Sequence, residues 1–167
     1  MATSLIETLR FLFHRELAAV RRSIEAYPDE KSLWVERAGL PNTGGNLALH
    51  LAGNLQHFLG TTLGKTGYVR DRDSEFALRN VPRPEVLAKL DAADRAIDAA
   101  FDRITADSFG QTFPEQVGGR TIVTQDFVAH LLSHLAYHLG QIDYHRRVVT
   151  GDATSVGALP VKVLGTG

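Results

Sequence analysis

Cysteine is absent from the 167 residues, which excludes a disulfide framework, a thiolate metal site and a cysteine nucleophile. That absence agrees with a reducing, cytoplasmic setting. Charge of one sign is also lacking: 18 Lys and Arg face 19 Asp and Glu, for a formal net charge of -1. A protein that grips phosphates carries a basic excess or a basic stripe, so nucleic acid is not an expected partner. No apolar run approaches the roughly 18 residues that would span a bilayer, and no membrane partner is expected either. Glu7 and Arg10 break the apolar stretch from Leu5 to Phe13, so the N-terminus does not read as a secretory signal.

What is present is helical periodicity. With 44% hydrophobic residues the chain can build one substantial core and is too short for two ordinary domains. The first helix is expected over residues 4–27, opening on Ser4 and Glu7 in capping-box spacing and burying Ile6, Leu9, Phe13, Leu17, Val20 and Ile24. Pro28 ends it, and one helical turn is expected around Trp34. The second helix reads over residues 46–63, with Leu47, Leu51, Leu55, Phe58 and Leu59 apolar. Residues 65–82 look too charged to enter the core.

Pro84 suits the first position of a third helix reaching Ile104, with Leu87, Leu90, Ile97, Phe101 and Ile104 inward and Asp91, Asp94 and Asp98 on a solvated face. Glycines and Pro114 make residues 105–123 a loop with room for a hairpin at 111–122. The fourth helix spans 124–149 and stops at Gly151. Residues 1–150 thus form an all-α, four-helix bundle domain. The tail 151–167 is expected to pack on it through Val156, Leu159, Val161 and Leu164, or to be disordered. The connections permit an up-down or a crossover topology.

Three of the seven histidines stand out by position. His134 and His138 are one turn apart and share a face, beside the apolar stripe of Phe127, Leu131, Leu135 and Ile142. His50 lies at the edge of the second helix's buried stripe. Buried imidazoles are costly unless their nitrogens find partners, and a divalent ion satisfies all three at once. The competing reading is a set of hydrogen-bonded boundary residues. His14, His57 and His145 read as surface or boundary positions, and His130 as a reserve ligand or a group behind the ligands. Asn54 and Gln141, each one turn from a candidate ligand, either orient ligands and a bound water or bond only to neighbouring helices.

The run His130-Leu-Leu-Ser-His134-Leu-Ala-Tyr-His138-Leu-Gly-Gln141-Ile142, with Asn46-Leu-Ala-Leu-His50-Leu-Ala-Gly-Asn54 before it, resembles the DinB-like superfamily of metal-binding four-helix bundles. The resemblance extends in helix order and spacing over nearly the whole chain. It implies an up-down-down-up bundle, often a homodimer, with His50, His134 and His138 as metal ligands. It also implies a metal-dependent transferase or isomerase using a low-molecular-weight thiol such as mycothiol or bacillithiol, or else a hydrolase.

A three-imidazole site keeps an open position for a water or a small-molecule substrate, and zinc, nickel, copper or iron would suit it. An external thiol fits a chain with no cysteine of its own. The residues between His134 and His138 are Leu, Ala and Tyr, so the glutamate of a His-Glu-x-x-His protease helix is missing. Arg70 and Arg72 either clamp an anionic substrate or cofactor or pair locally with Asp71, Asp73 and Glu75. A non-catalytic, metal-stabilised or ligand-sensing module is the other functional class. There a fourth ligand, His130 or His57, would close the shell.

Overall fold

Residues 4–156 are described by a computed structural model, and they are helical throughout their regular elements. Helix α1 (Leu5–Glu25) begins as its capping box dictates: the Ser4 hydroxyl accepts from the Glu7 amide, and the Glu7 side chain accepts from the Ser4 amide. Leu9, Phe13, Leu17, Val20 and Ile24 are buried along one stripe, each contributing roughly 1.5–3 kcal/mol of transfer free energy. A short 3₁₀ turn, Ser32–Trp34, follows. Trp34 packs over Gly45, where a Cβ would come within 2.6 Å of the indole.

Helix α2 (Gly44–Leu55) is capped by Thr43, whose hydroxyl accepts from the Asn46 amide, and every one of its residues is buried. Its continuation departs from the expected single α-helix, because Gln56–Leu63 is a π-helical segment. Gly60 and Gly64 lie in and just after this stretch, where a Cβ would sit 2.9 Å from the methyls of Ala96 and Ala99 respectively. Small residues on both sides let the widened turns approach the next long helix closely.

The connection expected to be too charged for the core holds α3 (Arg72–Ala77), capped by Asp71 through the Ser74 amide. One of its acids, Glu75, is only 5% exposed. Helix α4 (Arg83–Phe101) starts with Pro84 in its first turn and buries Val86, Leu90, Ala93, Ile97, Ala100 and Phe101; Leu87 and Ile104 are only partly buried. Its acids do more than face solvent. Asp91 pairs with Arg21, Asp94 with His14 at 2.6 Å and Asp98 with Arg10 at 2.5 Å, so they tie α4 to α1.

Helix α5 (Ala106–Phe109) is one capped turn. The loop after it folds back as the expected hairpin, reduced to isolated bridges between Thr112 and Val123 and between Val117 and Arg120. Helix α6 (Thr124–Thr150) ends at Gly151, whose φ of 73° needs no Cβ.

Four long helices enclose the core. Helix α1 packs on α4 and α6, and α2 packs on the same two from the opposite corner, while α3 covers α2. The start of the tail is pinned to α6: Arg146 donates to Asp152 and to the Thr154 carbonyl, and Ser155 donates to Asp143. Leu159, Val161 and Leu164 lie outside the described residues. Among the described residues, no helix is long and apolar enough to cross a membrane.

Candidate metal centre

The packing of α2 on α6 brings His50, His134 and His138 together. His134 and His138 stand with rings 4.4 Å apart on α6, and His50 closes on them at 5.2 and 5.1 Å, centroid to centroid. All three turn the same nitrogen inward. The Nε2 atoms of His50 and His138 lie 3.3 and 3.0 Å from Nε2 of His134. Ligand nitrogens about 2.0–2.1 Å from a tetrahedral ion are separated by roughly 3.3 Å. Together the three offer one ligand atom each within 4.8 Å of one another.

The outer nitrogens decide what the inner ones carry. Nδ1 of His50 lies 2.9 Å from Glu75 Oε2, and a carboxylate only accepts, so the proton is on Nδ1. Arg70 Nη2 also lies 3.3 Å from that nitrogen, but both groups are donors and this contact is not a hydrogen bond. Nδ1 of His138 donates in the same way to Gln141 Oε1 at 2.6 Å. In neutral imidazoles both Nε2 atoms then present lone pairs toward Nε2 of His134.

Burial, followed by the neighbouring imidazoles, pushes His134 down to about 4. Burial also lowers His138, against the opposing bond to Gln141. His134 and His138 therefore resist taking up a second ring proton. In the neutral trio the single proton of His134 sits on Nε2 between the other two lone pairs, and a divalent cation would take that proton's place. His134 Nδ1 is buried with no hydrogen-bond partner among the described residues.

Glu75 is the residue the sequence did not single out for this site. Its Oε1 and Oε2 accept from Arg70 Nε at 2.7 Å and Nη2 at 2.8 Å. Burial raises its pKa, but Arg70 and then His50 outweigh burial and hold the carboxyl below its ordinary value. Room for it comes from Gly53, where a Cβ would lie 2.0 Å from Oε1. A glycine inside an otherwise apolar helix, followed by a capping Asp71 and Ser74, was the available signal.

The other predicted residues divide. Asn54 is buried one turn below His50, and its Oδ1 has no hydrogen-bond partner among the described residues. His130 is exposed, stacked on Phe127, with its ring 6.3 Å from that of His134. His57 pairs with Glu115 at 3.1 Å. Arg70 is held by Glu75, whereas Arg72 lies over Phe76, whose ring contacts His50 at 4.8 Å.

His14 is a boundary residue between two carboxylates. His145 corrects the expectation of a surface or boundary position: it is 2% exposed. It bonds through Nδ1 to the Tyr27 hydroxyl at 2.7 Å and through Nε2 to the Val35 carbonyl at 2.8 Å. Two cavities are lined by the outer partners of the histidines and not by the three rings themselves. One of about 280 Å³ is lined by Glu75 and Gly53, and one of about 110 Å³ by Gln141 and His145.

Fold and site therefore define an all-helical protein with a three-histidine cluster able to hold a metal ion. The chain belongs to the DinB superfamily, whose family profile matches residues 12–142. Searches of curated proteins and of solved structures gave no significant match.

Proposed function

We propose that the protein is a metal-dependent enzyme binding one divalent ion, zinc, nickel or iron, through His50, His134 and His138. The reaction we assign is S-transfer or isomerisation with a small external thiol. The observation that carries this reading is the convergence of three Nε2 atoms, two of them fixed as lone-pair donors by Glu75 and Gln141. When bound, the ion supplies Lewis acidity that lowers the pKa of a coordinated thiol or water. The chain's own residues orient the imidazoles, and burial keeps His134 and His138 from taking up a second ring proton. Arg70 is committed to Glu75, so Arg72, lying over Phe76 beside His50, is the cation we assign to an anionic group of the substrate or thiol.

One observation favours a second reading, hydrolysis of a small substrate. The unpartnered Asn54 Oδ1, one turn from His50, would accept a hydrogen bond from a nucleophilic water.

The experiment is elemental analysis of tag-free, chelator-free protein. Metal-loaded protein is then titrated with mycothiol, bacillithiol, glutathione and coenzyme A in the presence of a model electrophile. About one ion per chain and thiol-dependent loss of the electrophile are expected. No metal uptake on reconstitution refutes the metal reading. Ester or amide hydrolysis with no thiol bound at millimolar concentration replaces the transferase with the hydrolase.

A further inference from the structure

The connection between α2 and α4 contributes more than a cover for α2. We propose that Glu75 is a positioning residue that sets the tautomer and ring orientation of His50 for a metal, with Gly53 providing the space it needs. This deepens the metal reading above and rests on it.

Three observations carry the proposal. Glu75 is the acceptor for the His50 Nδ1 proton, at 2.9 Å and with both side chains under a tenth exposed. Gly53 sits three residues after His50 on α2, and its missing Cβ is what allows Oε1 to rest there. Finally, Arg70 neutralises the carboxylate by two donations of 2.7 and 2.8 Å, with its Nη2 sharing Oε2 with the His50 ring. A carboxylate behind a ligating imidazole fixes which nitrogen faces the ion and makes that nitrogen more basic. His138 has a neutral amide oxygen in the same place, and His134 Nδ1 has no partner among the described residues. Among the described residues, His50 is thus the one of the three rings given an anionic partner.

A purely structural role for Glu75, locking α3 onto α2 through Arg70, predicts a different outcome. In that case Glu75→Gln and Arg70→Gln weaken the fold alike, and metal affinity does not distinguish them. For a positioning role the two variants diverge. Glu75→Gln loses the anion behind His50, whereas Arg70→Gln removes a positive charge close to a dication and keeps the anion.

The experiment measures zinc affinity by competition with a chromophoric chelator, for wild type, Glu75→Gln, Arg70→Gln and Gly53→Ala. Glu75→Gln is expected to bind zinc about 10–100-fold more weakly. Gly53→Ala should do the same with the glutamate still present, because its methyl displaces the carboxylate. Arg70→Gln should bind at least as tightly as wild type.

A readout free of variants is the side-chain ¹⁵N–¹H spectrum of metal-free wild type, expected to show His50 protonated on Nδ1. Zinc uptake by wild type with equal affinity in Glu75→Gln overturns this inference alone. So does equal weakening in the Arg70 and Glu75 variants, or a proton on Nε2 of His50. Failure of wild type to take up any zinc overturns the metal reading and this inference with it.

Discussion

His134 and His145 lie about three turns apart on α6, and alanine should affect them in opposite ways. His145 is fully enclosed; its removal leaves the Tyr27 hydroxyl only the Ile142 carbonyl at 3.3 Å and strips the half-buried Val35 carbonyl of its 2.8 Å bond. Each lost bond costs about 0.5–1.5 kcal/mol and the void left by the ring about 2 kcal/mol more, so His145→Ala should cost about 3–5 kcal/mol. For a chain of this size a kilocalorie corresponds to about 2–4 °C in Tm, which puts the fall near 10 °C.

His134 gains little from the metal-free fold. Its Nδ1 has no partner among the described residues and its Nε2 faces two others, so His134→Ala should change metal-free stability by only about 1 kcal/mol. Zinc at a thousandfold excess over its dissociation constant should stabilise wild type by about 4 kcal/mol, a rise of roughly 8–16 °C. His145→Ala should keep that rise and His134→Ala should lose it. Thermal melts followed by circular dichroism, with and without zinc, decide the matter. A full zinc shift in His134→Ala, or none in His145→Ala when wild type shows one, would refute the reasoning.

Gly44→Ala would place a methyl 2.1 Å from the Tyr27 hydroxyl; a loss of about 2–4 kcal/mol is expected in urea unfolding. Arg146 is 1% exposed and pairs with the buried Asp143, so Arg146→Met should cost about 3 kcal/mol, read as a lower urea midpoint at unchanged slope. The metal-free protein should also lose stability as pH falls. His134 titrates at about 4 when folded against an ordinary value of 6.5, so below pH 6.5 the unfolded chain takes up a proton that the folded one resists. The full shift corresponds to about 3 kcal/mol, and roughly half remains after allowing for partial exposure. His138 and His145 are shifted in the same direction. A urea midpoint unchanged between pH 7 and pH 5 would contradict this.

Local signals were readable in the sequence where their cause is local. Ser4 and Glu7 are three residues apart, and Gly151 directly follows the last turn it stops. The helical phase of His134 and His138 against Leu131 and Leu135 follows from 3.6-residue geometry alone, and the α2 stripe supplied His50 in the same way. Distant causes were not readable. The partners that bury His145 are 118 and 110 residues away. Glu75 lies in a run of alternating charges; its local pairing with Arg70 was one of the two readings of that run and holds, but only the fold shows that it is buried behind His50 and that Gly53 admits it. The π segment at Gln56–Leu63 has the same apolar pattern as an α-helix at its start. Its contact with the small residues of α4 involves positions far along the chain.

The separation of the ligands along the chain has a topological meaning. His50 and His134 are 84 residues apart, so any ion held between them also closes a loop of that length, and the length-dependent cost of closure is about 4 kcal/mol. Helix α6 alone offers only the i, i+4 pair, and the third nitrogen arrives when α2 docks. An ion held by the complete trio would therefore cross-link α2 to α6. Release of that ion would report the parting of the two helices.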